Sequence, residues 1–178
     1  AKGWFGQAVR KHAMKRPGWM TLSLAGLALV LGCARAGGGA DGMLPVESLY
    51  GGGQCGGLER PVVAWIASPE AWRQLYGEVT NPRMNPPPAP AVDFSREGVL
   101  LIAMGQRPSA GYGLSLEGET TVRDGVLAVR VDWREPQPGY RLAQVVTSPC
   151  LLLKVPAAAF TRIQVLDRED RVRLEGAR

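Results

Sequence analysis

Val99 to Met104 is an unbroken apolar run, which predicts a strand covered on both faces. Downstream, Tyr112, Leu114 and Leu116 alternate with Gly113, Ser115 and Glu117, and Thr120 and Val122 keep the same phase. Asp124-Gly125 is a tight-hairpin signal. Beyond it Leu127, Val129, Val131 and Trp133 form one apolar face opposite Arg130 and Asp132. Further strands are expected at Pro61 to Ile66, Leu142 to Thr147, Leu151 to Val155, Thr161 to Leu166 and Arg171 to Leu174. One segment has a helical period: Trp72, Leu75, Tyr76 and Val79 share a face. Ser68-Pro69-Glu70 starts that helix, with a capping hydroxyl, a proline at the first helical position and an acid at the positive end of the dipole. Asn81 to Pro90, with prolines at 82, 86, 87, 88 and 90, ends it as an extended surface crossing. The predicted class is α+β: mainly antiparallel sheet, sandwich-like, with one short packed helix.

The N-terminal third has a different pattern. Arg10, Lys11, Lys15 and Arg16 precede an apolar stretch from Trp19 to Leu31, and Val30-Leu31-Gly32-Cys33 closes it. Basic, then apolar, then small residues is the layout of a secretory signal. The apolar run is short for a spanning helix, which needs about 20 residues. A cysteine directly after the cut makes this a lipoprotein signal, with Cys33 as the lipidated first residue of the mature chain. Residues 1–32 are therefore read as signal peptide with upstream residues, and Met14 as the natural start. Residues 33–57, rich in glycine (Gly51-Gly52-Gly53, Gly56-Gly57), are expected to be a tether, with a short locally packed element between Met43 and Tyr50. Residues 58–178 are the expected globular domain.

This boundary changes the meaning of the charge. The chain has 21 Lys+Arg against 16 Asp+Glu, but five cations and no acid precede Cys33, so the mature part is balanced. The high pI belongs to the targeting segment, and nucleic acid is not an expected partner. The single histidine, His12, is also lost, which removes Ser-His-Asp and Cys-His catalysis and every His-containing metal site. Lys154, the only later lysine, lies in an expected strand and reads as a surface residue rather than as the base of a Ser–Lys pair. Asp93 with Glu97, and Asp132 with Glu135, are close in sequence as a glycosidase pair requires, but read as solvated charges. Asp167 to Asp170 lacks the alternating ligands of a calcium loop. No catalytic residue, cofactor or metal is expected. Cys55 and Cys150, exported with the domain, read as one disulfide; two separate buried thiols are the alternative.

If the strands near 98–105, 112–122, 126–133 and 141–147 form a meander, the connections 106–111 and 134–140 share one end of the sheet. They hold Arg107, Pro108, Ser109, Gly111, Pro136 and Tyr140, with Tyr112 and Trp133 at their margins. Loops on a rigid sheet are a common place for recognition, and Tyr and Arg are favoured anchors. Plain turn chemistry is the competing reading.

Val92-Asp93-Phe94-Ser95-Arg96-Glu97-Gly98-Val99, Gly105-Gln106-Arg107-Pro108-Ser109-Ala110-Gly111-Tyr112 and Thr147-Ser148-Pro149-Cys150-Leu151-Leu152-Leu153-Lys154-Val155-Pro156 together resemble the C-terminal domain of PrcB-type lipoproteins, subunits associated with a surface protease complex. The likeness runs from about Trp65 to Pro156. Ala110 stands where that family more often has Gly, and Cys150 lies outside its usual pattern. The resemblance implies a noncatalytic accessory role, stabilising or contacting an envelope protease. The Pro-Ser-Ala-Gly-Tyr loop is also similar to the inhibitory loop of chagasin-type cysteine-protease inhibitors, with Arg107 in place of their usual Asn. The remaining alternative is a structural envelope lipoprotein with no protease partner. Ala34, rather than an aspartate, after Cys33 favours outer-membrane delivery in a cell with two membranes.

Overall fold

The structure, a computed structural model, describes residues 42–139 and 141–178. Its order is β1 (Gly42–Leu44), β2 (Glu47–Gly52), β3 (Val62–Ile66), α1 (Pro69–Thr80), β4 (Glu97–Ala103), β5 (Gly113–Arg123), β6 (Val126–Arg134), β7 (Cys150–Pro156), β8 (Arg162–Leu166) and β9 (Val172–Ala177). Two sheets face each other: β1-β5-β6-β8-β9, and β2-β7-β4-β3. All pairs are antiparallel except β6 with β8. The mainly antiparallel α+β class is as expected.

The apolar run of β4 is divided between two cores. Leu100, Ile102 and Met104 point into the space between the sheets, against Leu127, Val129 and Val131 of β6 and Ile163 and Val165 of β8. Val99, Leu101 and Ala103 face the other way, against Trp72, Tyr76 and Val79 of α1. β7 does the same, with Leu151, Leu153 and Val155 between the sheets and Cys150 and Leu152 under the helix. Each fully buried leucine or isoleucine side chain contributes about 1.5–3 kcal/mol by leaving water. The β2-β7-β4-β3 sheet is therefore the middle layer, which is why β4 and β7 have no polar face.

The helix begins as its sequence directs. The Ser68 hydroxyl accepts from the Ala71 N–H at 3.2 Å, and Pro69 occupies the first turn. In the same first turn Trp72 Nε1 donates to the Pro90 carbonyl at 3.0 Å, which pins the end of the proline-rich crossing to the start of the helix. Ser68→Ala is expected to cost about 1 kcal/mol in a thermal or urea melt. An unchanged midpoint would mean that the cap is redundant.

Three expectations do not hold. Leu142 to Thr147 is not a strand; it makes only an isolated bridge, Arg107 with Thr147. The ladder position beside β6 that it would need is taken by β8. The meander fails with it, because β4 lies in the other sheet from β5 and β6. Finally, the glycine-rich stretch is sheet from Gly42 to Gly52: β1 pairs with β5, and β2 pairs with β7 from Glu47↔Lys154 to Gly52↔Cys150. A tether reaching to residue 57 is thus corrected, because long-range pairing supplies what local propensity lacks. Cys33 and the whole signal segment lie outside the described residues.

Candidate functional site

The two long connections do share one end, although for a different reason than a meander. β4 ends where β7 begins (Ala103↔Cys150), and β5 begins where β6 ends (Gly113↔Arg134). Segments 104–112 and 135–149 each cross between sheets at this end. The β2–β3 connection, 53–61, and the β8–β9 turn, 167–171, lie there too.

Backbone bonds stitch these segments together. Arg107 and Thr147 exchange two, at 2.7 and 2.9 Å, and the Ala110 N–H donates to Ala143 at 3.0 Å. Thr147 Oγ1 donates to the Ser109 carbonyl at 3.1 Å. The Ser148 N–H donates to Gly53 at 2.8 Å, and Ser148 Oγ donates to Leu58 at 2.9 Å. The Cys55–Cys150 disulfide, both of whose residues are buried, closes 95 residues and fixes 53–57 against the start of β7.

The sequence-predicted residues fall into distinct roles. The Arg107 guanidinium lies over the Tyr112 ring at 5.5 Å, and Tyr112 packs on the main core. Both side chains are half-buried, so this pair shapes the loop from beneath. Arg107 Nε is buried with no hydrogen-bond partner among the described residues. Pro108 is exposed, and Ser109 is half-buried with its hydroxyl donating to the Ala110 carbonyl at 3.2 Å. Gly111 has φ +95°, and a side chain there would press on Leu142 and Pro136 at 3.2 Å, which brings the two loops into contact. Trp133 is half-buried under the Arg173 guanidinium, 5.3 Å from its ring. Tyr140 lies outside the described residues.

Three of the four carboxylates considered as catalytic pairs, Asp93, Asp132 and Glu135, are engaged elsewhere. Asp93 Oδ1 accepts from the Ser95 N–H and hydroxyl at 3.0 and 2.6 Å, and these bonds hold its carboxyl below the ordinary range. Arg168 pairs with Glu117 at 2.5 Å and approaches Asp132 at 3.6 Å; Glu135 pairs with Arg173 at 2.6 Å.

Asp167 organises the β8–β9 turn. It is 2% exposed. Oδ1 accepts from the Glu169 and Arg171 N–H groups at 3.0 Å each, and Oδ2 from Arg171 Nε at 2.8 Å. Burial pushes its carboxyl up, but the Arg171 N–H and guanidinium, with the Glu169 N–H, together pull it below the usual carboxylate range. A depressed carboxyl contributes stability that is present above its unfolded value, about 3.9, and is lost as pH falls through its lower folded value. Asp167→Asn is expected to destabilise by about 2 kcal/mol at neutral pH and to flatten the acid limb of the urea-midpoint profile. An identical acid limb would show that Asp167 does not drive it. The sequence weighs Asp167 only within the Asp167 to Asp170 run, as a discounted calcium loop, and gives no sign of its part in holding the turn.

Also missed were Val145 and Val146, 47% and 58% exposed on the second connection. A strand reading had assigned them to a sheet, so nothing marked them as surface.

Residues 99–156 match the family model described as PrcB C-terminal. This stretch of the chain is similar to the PrcB C-terminal domain. The matched span runs from β4 through β7 and contains both long connections of the loop end. A PrcB C-terminal domain points to association with a protease complex. No curated protein and no solved structure matches the chain.

Proposed function

We propose that this chain is a lipid-anchored envelope protein that acts by contact, as a noncatalytic module stabilising or modulating a protease complex through its loop end. The observation that carries this reading is the PrcB match over 99–156, which spans the two sheet-crossing connections at that end. The loss of the only histidine with the signal segment supports the noncatalytic part. The anchor rests on the sequence at Val30-Leu31-Gly32-Cys33. On this reading Cys33→Ala abolishes incorporation of labelled fatty acid; continued labelling would remove the anchor from the account. Delivery to an outer membrane follows from Ala34 in a cell that has one.

Co-purification of the native protein from detergent-solubilised envelopes tests the partner. Stoichiometric recovery of a peptidase supports the proposal. Recovery of peptidoglycan and general envelope components alone would favour a structural envelope role instead.

A second reading, a chagasin-like inhibitor, draws on the gathering of segments 104–112, 135–149 and 167–171 at one end of a sandwich. It requires tight, saturable inhibition of a papain-like cysteine peptidase, and the absence of inhibition would dismiss it.

A further inference from the structure

Leu142 to Thr147 has strand composition and no place in either sheet. On one side it is tied to the first connection, by Arg107 with Thr147 and by Ala110 with Ala143. Its other polar groups are partly open. Gln54 Nε2 donates to the Val146 carbonyl at 3.0 Å, and Gln144 Nε2 to the Leu142 carbonyl at 3.3 Å. The Gln144 N–H and carbonyl, the Val145 carbonyl and the Val146 N–H make no hydrogen bond among the described residues. Val145 and Val146 stand exposed beside them. An apolar pair on a segment with open backbone groups is a setting in which an extended peptide is recognised: main-chain bonds give affinity and apolar contacts give selectivity.

Charge narrows the occupant. Around this end Arg60, Arg134 and Arg141 are exposed and have no carboxylate partner among the described residues, against two acids with no cationic partner among them, Glu59 and Glu78, the latter lying against Gly57 and accepting from Gln74. The acids of the neighbouring turn are already committed: Glu135 to Arg173, Asp167 to Arg171 and Arg173, Glu169 to Arg171, and Asp170 to Arg130. Asp132 and Glu117 both face Arg168. The uncommitted charge beside Val145 and Val146 is therefore positive, and its complement is negative.

We propose that Gln144 to Val146 is the docking strip for the partner polypeptide, and that it takes an extended segment in which apolar residues cover Val145 and Val146 while flanking acids meet Arg134 and Arg141. This rests on the interaction-module reading and adds the place and chemistry of contact.

The test places a photo-crosslinking phenylalanine at Val145 of the full chain, and a control one at Met43, an exposed residue of β1 at the opposite end, beside the Asp124–Gly125 turn. Crosslinked peptides are sequenced from the complex that co-purifies with the wild-type protein. Crosslinking at 145 but not at 43, to a segment with at least two acids near apolar residues, supports the proposal. Val146→Asp and Arg141→Glu are then expected to weaken capture at least tenfold without shifting the melting temperature. Changing the contacted partner acid to Lys should restore capture by Arg141→Glu. If the complex forms but the crosslink maps to other chemistry, or these variants bind like wild type, the docking strip is wrong while the interaction module stands. If the wild type captures no polypeptide, both fall.

Discussion

A chain with Cys55→Ala and Cys150→Ala is expected to lose roughly 4 kcal/mol of stability and to melt ~10–20 °C lower. The bond closes 95 residues, so in the chain-entropy account it removes much of the freedom of the unfolded chain. Alanine is the better probe than serine. Cys55 and Cys150 are 4% and 0% exposed, and buried unpaired hydroxyls would add their own penalty. The loss is also expected to reach the loop end. Residues 53–57 carry the Gly53 and Cys55 bonds to Ser148 and the Gln54 contact to Val146, and the disulfide holds that segment in place. Reduction of the wild type should reproduce the drop once the protein is partly unfolded, since both sulfurs are buried. An alanine pair that melts with the wild type would show that pairing of β2 with β7 alone fixes this corner.

Gly105→Ala is expected to cost roughly 3 kcal/mol, from left-handed backbone strain and forced displacement of neighbours. Gly105 has φ +75°, and a β-carbon there would lie 2.7 Å from the Arg60 carbonyl carbon and the Pro61 nitrogen. Both are backbone atoms, so no side-chain rotation relieves the contact. The position is the exit of β4, and the next residue, Gln106, donates its N–H to Glu59 at 3.0 Å. Strain here should therefore displace the first connection against the β2–β3 connection, weakening partner capture more than a core substitution of equal cost. Leu153→Ala, fully buried between the sheets, is the matched comparison, at about 2–5 kcal/mol. A Gly105→Ala protein with an unshifted urea midpoint would contradict the close backbone approach.

The fold was legible where local chemistry and burial agree. Ser68-Pro69 capped the helix, Asp124-Gly125 turned the hairpin, and the uninterrupted apolar run at Val99 to Met104 announced a strand with two covered faces. It was not legible where partners are remote. Nothing in Gly51-Gly52 reveals that Leu151 and Cys150 lie opposite them. Leu142 to Thr147 reads as strand by composition, yet β8 arrives later in the chain and takes the parallel position beside β6. The site was partly legible for the same reason. The two connections meet, as Gly111 against Pro136 and Leu142 shows, but Arg107 stacks on Tyr112 instead of projecting. The exposed Val145 and Val146 were hidden by the very composition that suggested a strand.

The most direct test of action by contact uses purified, delipidated protein and the peptidase recovered with it. The account predicts that the protein alone turns over no peptide, ester or glycoside substrate, and that adding it changes the peptidase's rate or lifetime and saturates at a fixed stoichiometry. Turnover by the protein alone at an ordinary enzymatic rate, on the order of 1–1000 per second, would contradict it.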